Sequence, residues 1–250
     1  MPFIQSRLLE GFPHGFTTRR GGESDPPFDS LNLGGAVGDD PARVSANWRV
    51  VERETGLGFA RVRQVHGARV VRLDAPTPPA LEADAIVSRM PGVAACVSVA
   101  DCVPVLLADP ATGAVAAVHA GWRGTIARVA AEAVRALAEE AGAPAARLLA
   151  VVGPAIGPCC YEVSPDLARR FASEIGGDVV RDGRAPALDL WAANAAVLRA
   201  AGVAAERIDA LRRCTSCERD AFFSHRRDAG RTGRQMAFIA PRAPTRGTLP

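Results

Sequence analysis

Residues 98–125 read SVADCVPVLLADPATGAVAAVHAGWRGT, and this stretch constrains the fold more than any other. Two short apolar runs, VPVLLA and AVAAV, flank an Asp-Pro-Ala-Thr-Gly turn. Apolar runs of this length split by Pro and Gly predict two buried strands joined as a hairpin. Cys102 enters the first run and His119 leaves the second. Antiparallel pairing therefore carries a thiol and an imidazole to one end of one sheet, with Asp101 beside them. The chain continues as Ala-Gly-Trp-Arg-Gly-Thr, whose glycines let backbone approach a ligand closely, and a helix opening at Thr125 would present free N–H groups to an anion. A lone Cys beside a strand more often packs as a small hydrophobe. It is the pairing with His119 that gives Cys102 a chemical reading.

Upstream, TTRRGG (residues 17–22) and FDSLNLGGAVGDDPARV (residues 28–44) form a Gly-rich stretch that embeds Asn32 and Asp39-Asp40. It predicts a long ordered loop before a helix capped near Asp40, and ligand contacts and Asx turns account for such a loop equally well. The run ARVRQVHGARVVRL reads as a strand broken at His66-Gly67, which makes His66 the second histidine at a strand break. Downstream, Ile126, Val129, Ala130, Ala133, Val134 and Leu137 fall at helical spacing as a core stripe, with Gly142 ending the helix. A buried strand is expected over residues 148–152, then helices over 165–175, capped by Ser164, and 189–201, ended by Gly202.

The other cysteines read weakly. Adjacent Cys159 and Cys160 rarely ligate one metal together, so one is assigned to packing and the other to the loop. Cys214 and Cys217 form a CxxC with no second pair at suitable spacing. All four are therefore expected outside the first shell of any catalytic metal. Arg226, Arg227, Arg231 and Arg234, beside Phe222 and Phe223, suit an anionic or planar ligand or else a solvated edge.

Composition narrows the function classes. The formal charge of +3 makes no demand for nucleic acid. All 30 basic residues are Arg, which excludes Schiff-base lysine chemistry and a Walker-type phosphate loop. Phosphate must then be held by Arg or backbone N–H. No apolar run approaches membrane-spanning length and the opening residues lack a signal-peptide core, so no membrane partner and a cytoplasmic location are expected. Without a linker or repeat, residues 1–250 are expected to form one domain.

QVHG (residues 64–67), ADCVPVLL (100–107), VHAGWRGT (118–125), GPAIGPCCYEV (153–163) and the FFSHRRD…GRTGRQ ending resemble the YfiH family, also called the peptidoglycan editing factor PgeF or laccase-domain family. The resemblance spans nearly the whole chain. It implies a layered α/β sandwich with mixed sheets and a catalytic zinc held by His66, Cys102 and His119. It also implies phosphorolysis of adenosine, inosine, guanosine and methylthioadenosine, deamination of adenosine, and a link to editing of peptidoglycan precursors. Purine nucleosides and phosphate are the partners so implied. His225 departs from the family, which is expected to carry Tyr there. Asn32, Gln64 and Arg123 are the further residues placed at the substrate. Arg123 precedes the expected helix N-terminus, where anions are favoured, and packing on Trp122 is its alternative.

One thiolate and two imidazoles leave the fourth position of tetrahedral zinc open, as a catalytic site requires. The same set suits blue copper, and copper is able to displace zinc in vitro, but a multicopper oxidase needs a further trinuclear histidine cluster that four histidines cannot supply. Two other readings stand beside the phosphorylase. One is a metal-free hydrolase of a cell-wall precursor amide, with Cys102 as nucleophile and His119 as base. The other is a non-catalytic partner of the cell-wall machinery.

Overall fold

The computed structural model describes residues 3–74 and 81–242. In chain order the elements are β1 (His14–Phe16), α1 (Pro41–Thr55), β2 (Gly58–Ala60), β3 (Val70–Leu73), β4 (Ala85–Ser88), β5 (Val93–Val99), β6 (Val103–Ala108), β7 (Val115–Ala120), α2 (Trp122–Ile126), α3 (Val129–Ala141), β8 (Leu149–Val152), α4 (Pro165–Glu174), β9 (Val180–Arg181), β10 (Ala187–Leu188), α5 (Leu190–Ala200), β11 (Ile208–Ala210) and β12 (Gln235–Ile239). They build a six-stranded mixed sheet in the order β11-β8-β6-β7-β4-β3, a four-stranded sheet in the order β1-β12-β5-β2, and a small β10-β9 ladder. The fold is thus a mixed α/β sandwich, as the family resemblance implied.

The apolar runs are continuous because these strands are buried on both faces. Alternate residues of β6 and β7 serve different cores. Val103, Val105, Leu107, Ala116 and Val118 face a core shared with α3 and α5, whereas Leu106, Ala108, Val115 and Ala117 face the four-stranded sheet. The alternation repeats in β5 and β12. Ala95, Val97, Ala237 and Ile239 point to the space between the sheets, while Ala94, Cys96, Met236 and Phe238 pack against Trp48, Val44 and Val51 of α1. Four layers result: α1, the smaller sheet, the larger sheet, and the helices α3 and α5.

β6 and β7 pair antiparallel, with Pro104 opposite His119 and Val103 opposite Ala120. The hairpin therefore carries Cys102 and His119 to one sheet end, as its sequence predicts. At the other end its turn is held by Asp109, a fully buried carboxylate. Asp109 accepts hydrogen bonds from the Thr112 N–H and hydroxyl and forms an ion pair with Arg147 at 2.6 Å.

Helix caps follow the sequence. Asp40 accepts from Ala42 N–H and Ser164 from Leu167 N–H, whereas Asp189, expected as the first residue of its helix, caps it by accepting from Ala192 N–H. Gly56 and Gly142 close α1 and α3 in left-handed conformation.

Two sequence expectations are corrected. Residues 60–73 are not one broken strand, because β2 pairs with β5 in the smaller sheet while β3 pairs with β4 in the larger. The QVHG motif lies on the crossover between the sheets, a tertiary choice that local apolar pattern does not encode. The helix after His119 opens at Trp122 and breaks at Arg128, which takes φ +60°. Ile126 thus belongs to α2 and the core stripe of α3 begins at Val129. No helix among the described residues is long and apolar enough to cross a membrane.

Candidate metal centre

His66, Cys102 and His119 reach one another from three elements: the sheet-to-sheet crossover, the turn before β6, and the end of β7. Their ligand-type atoms all lie within 4.8 Å of each other, and the two imidazoles meet edge to face with ring centroids 4.8 Å apart. Burial is graded, with His119 buried, Cys102 half-buried and His66 exposed. One side of the cluster is lined by protein and the other faces outward.

The group that organises this arrangement is Asp84, a residue that no local sequence pattern marks as functional. Its side chain is fully buried just before β4. The backbone N–H groups of His66 and Gly67 donate to its carboxylate at 2.9 and 2.7 Å, and that of Val65 donates at 3.3 Å. His119 Nδ1 donates to Asp84 Oδ1 at 2.8 Å, and the His119 backbone N–H donates to the Asp84 carbonyl at 2.7 Å. One carboxylate thereby fixes the crossover loop, including His66 in its left-handed conformation at φ +61°, and also fixes the tautomer of His119. With Nδ1 protonated, Nε2 of His119 offers its lone pair to the centre. A carboxylate behind a ligating histidine orients the ring and raises its basicity. The sequence signal for this role is small: an Asp between two alanines at the mouth of an apolar strand, EADAIVS.

The electrostatics agree with the geometry. Burial opposes ionisation of Asp84, but His119 and the amides of Gly67 and His66 hold its carboxyl below the ordinary range. Burial likewise opposes the Cys102 thiolate, yet the His119 charge and hydrogen bonds from both imidazoles bring its thiol down to about 6. Burial disfavours the charged His119, and the Cys102 thiolate with Asp84 carries it up to about 9. With no metal bound, these opposed shifts favour the charged forms of Cys102 and His119 together, and a metal would take the place of the proton on His119 Nε2.

Backbone geometry leaves no slack. A Cβ on Gly121 would lie 2.9 Å from Cys102 Sγ and 3.1 Å from His66 Cδ2, so glycine is required where the chain passes the centre. Asp101, at φ +84°, turns the chain into β6 and is held from three directions. Its carboxylate accepts the Thr215 hydroxyl at 2.6 Å and the Arg226 N–H at 2.7 Å, and its carbonyl accepts the Ile156 N–H at 3.0 Å.

The remaining sequence-predicted residues separate into several roles. Asn32 is fully buried and its amide is spent on Asp39, Gly34 and the Arg234 backbone, so it shapes its loop. Gln64 makes a two-way pairing with the Ser98 backbone at 2.8 Å each, tying the crossover to β5. Arg123 is exposed, with its guanidinium 4.3 Å over the Trp122 ring. Arg226 stacks 5.0 Å over Tyr161. Burial lowers the Arg234 guanidinium, with Cys102 and Asp101 acting against that, and its Nη1 donates to the Thr232 and Gly233 carbonyls at 3.0 and 2.9 Å. Arg227 is spent on Asp228 and on the Thr215 and Phe222 carbonyls. The exposed His225 lies against Gly230, and His14 is buried, taking the Ser6 N–H and facing the Phe12 carbonyl.

Cys159, Cys160, Cys214 and Cys217 do not behave as expected individually. They form a second cluster of their own, with all four sulfurs within 4.8 Å of one another. The second pair that the CxxC lacked in sequence is supplied by the fold.

The mixed α/β sandwich carries a Cys/His cluster, oriented by a buried carboxylate, that could hold a metal ion. The chain belongs to the family described as multi-copper polyphenol oxidoreductase laccase, whose model matches residues 13–242. It is 44% identical over 244 residues to a purine nucleoside phosphorylase of Deinococcus radiodurans, covering 96% of this chain and 92% of that one. A purine nucleoside phosphorylase of Streptomyces coelicolor is 43% identical over 241 residues, covering 94% and 98%. The crystal structure of YlmD from Geobacillus stearothermophilus superposes with a TM-score of 0.88 at 36% identity, covering 96% of this chain and 98% of that one.

Proposed function

We propose that this chain is a purine nucleoside phosphorylase whose centre is a zinc ion held by His66, Cys102 and His119, with deamination of adenosine as a second activity there. The observation that carries the reading is Asp84 locking His119 through Nδ1 while binding the loop that presents His66. Such an arrangement presents ligand lone pairs rather than a packed core. Bound there, zinc would supply a Lewis-acid position with one coordination site left for water or substrate. The names of the relatives supply the reaction class.

The chain's own residues provide the rest. An open surface depression of about 490 Å³ is lined by Trp122, Tyr161, Glu162, Ser164, Leu167 and Arg226 among others, and its two aromatic rings offer stacking faces for a purine. Phosphorolysis needs phosphate set against C1′ of the ribose. In a chain without lysine that task falls to guanidinium or backbone N–H groups, and the candidates are Arg123, stacked on Trp122, and Arg226, which stacks on Tyr161 and whose backbone N–H donates to Asp101. The name of the family model does not carry over to activity. Two of the four histidines lie away from the centre, which leaves no residues for a trinuclear copper cluster.

The test is product analysis after incubating metal-quantified protein with adenosine, with and without phosphate. Phosphate-dependent adenine and ribose 1-phosphate, and phosphate-independent inosine, are expected. Free ribose in place of ribose 1-phosphate would refute phosphorolysis. Arg123→Ala should weaken phosphorolysis about tenfold or more while sparing deamination, given that a charged hydrogen bond is worth about 1.5–3 kcal/mol. Equal loss of both removes Arg123 from the phosphate.

A second reading is favoured by the thiolate–imidazolium pair: a metal-free Cys102/His119 hydrolase acting on an amide of a cell-wall precursor. Metal content distinguishes the two, since activity that survives complete metal removal belongs to the hydrolase. Absence of turnover on either substrate class would leave a non-catalytic partner of the cell-wall machinery.

A further inference from the structure

Outside the centre the molecule carries a second concentration of metal-type donors, at the corner where the segments after β8 and after β11 meet. We propose that Cys159, Cys160, Cys214 and Cys217 bind one thiophilic divalent ion of the zinc class, as a closed structural site separate from the His66/Cys102/His119 centre. The four cysteines are unpaired thiols, and their sulfurs all lie within 4.8 Å of one another. Cys217 Sγ lies 3.5 Å from Cys159 Sγ and 3.4 Å from Cys160 Sγ. Tetrahedral zinc with Zn–S of about 2.3 Å sets its sulfurs about 3.8 Å apart, so this spacing accepts a single ion in the middle. Thiolates select soft or borderline ions over magnesium or calcium.

Two tight turns make the vicinal pair usable. The Cys160 N–H donates to the Gly157 carbonyl at 3.0 Å, folding Gly-Pro-Cys-Cys so that both of its thiols reach Cys217. An isolated parallel bridge between Ala155 and Cys214 sets this turn against the CxxC turn. The Gly157 N–H donates to Cys214 Sγ at 3.3 Å, the kind of backbone contact that orients and stabilises a ligating thiolate.

Four thiolates on a divalent ion leave two net negative charges, and their protons depart on binding. Cationic groups face both turns. Arg226 donates to the Glu162 carbonyl at 2.9 Å, just past Cys160, and Arg227 donates to the Thr215 carbonyl at 3.0 Å, inside the CxxC. Thr215 also donates its hydroxyl to Asp101, and Ile156 its N–H to the Asp101 carbonyl. The ion would therefore clamp the wall that holds the residue before Cys102. A structural site of this kind contributes directly to folding stability.

The test uses the full chain expressed with zinc supplied, purified anaerobically without chelator, and assayed for zinc by mass spectrometry. The wild type should hold one zinc for each of the two sites. His66→Ala combined with Cys102→Ala should keep one, and its X-ray absorption should show four sulfurs at about 2.3 Å. Cys159→Ser combined with Cys217→Ser should lose that ion and unfold at lower temperature. The proposal is overturned if the His66/Cys102 double variant holds no zinc, if its ion has a nitrogen or oxygen shell, or if thiol counting finds the four cysteines as disulfides. Failure of the first centre alone would look different, because wild type and that double variant would then hold the same zinc.

Discussion

The two donor clusters are built from different chemistry although a single residue, Asp101, touches the walls of both. At His66, Cys102 and His119 the donors are mixed and graded in exposure, and they are oriented from behind by the fully buried Asp84. At Cys159, Cys160, Cys214 and Cys217 all donors are thiols, likewise graded from the buried Cys214 to the exposed Cys159 and Cys217, and two backbone turns hold them. Three donors with an outward face leave room for a substrate, whereas four donors closed on one another leave none. The same element, sulfur, suits chemistry in one setting and fastening in the other, and the difference lies in what stands behind the ligands.

The largest effect expected is from Cys102→Ala. It should lower phosphate-dependent release of base by more than about a hundredfold, exceeding the 10–100-fold typical of losing a partner behind a ligand. Zinc at the four-thiol corner should be untouched. A steady-state assay with metal analysis on the same sample checks both, and loss of metal at both places would break the comparison.

Asp84→Asn comes next. The amide keeps the size but presents the His119 Nδ1 and three backbone N–H groups with a weaker acceptor. Metal affinity at the first centre should fall about 10–100-fold, measured by chelator competition. Affinity unchanged within error would show that Asp84 is only a structural carboxylate.

Asp109 supplies the reference for that test, since it is as buried as Asp84 but sits at the end of the β6–β7 hairpin remote from Cys102 and His119. Asp109→Asn should cost about 2 kcal/mol of stability by denaturant unfolding and leave activity intact. Burial opposes its ionisation, but Arg147 and Thr112 hold the carboxyl below the ordinary range. A lowered folded-state value means that this stability is present above the unfolded pKa, about 3.9 for Asp, and is lost as pH falls through the folded value. The wild type should therefore lose stability more steeply than the variant as pH drops below about 4. Parallel pH curves would remove Asp109 from the acid response.

The smallest effect is from Thr215→Val, which removes the hydroxyl bonded to Asp101. A loss of about 1 kcal/mol is expected, with a few-fold drop in metal affinity at the first centre if the two clusters communicate through Asp101. An unchanged affinity would make them independent.

The hairpin and helix caps were legible in sequence because each is a local decision. An apolar run split by Asp-Pro-Ala-Thr-Gly has one economical folding, and Asp40 and Ser164 cap helices through bonds two and three residues away. Cys102 and His119 follow from the hairpin register alone. His66 was legible as a histidine at a break and through its motif, but its position between the sheets was not, because the run containing it splits between two sheets and no local period records that.

Asp84 and the four-thiol corner were decided by tertiary structure. Asp84 lies 35 residues from His119 in sequence, and nothing in EADAIVS says that its carboxylate will collect three amides and an imidazole. Cys159 and Cys217 are 58 residues apart and meet only because β8 and β11 pair in parallel and deliver their following turns to one corner. By itself the sequence determined the β6–β7 hairpin, the strand β8 and the helices α1, α3, α4 and α5, since burial period and capping act over a few residues. Which distant side chains share a site was settled by how the sheets stack, because contacts remote in sequence form only when apolar faces on both sides of the six-stranded sheet are buried together.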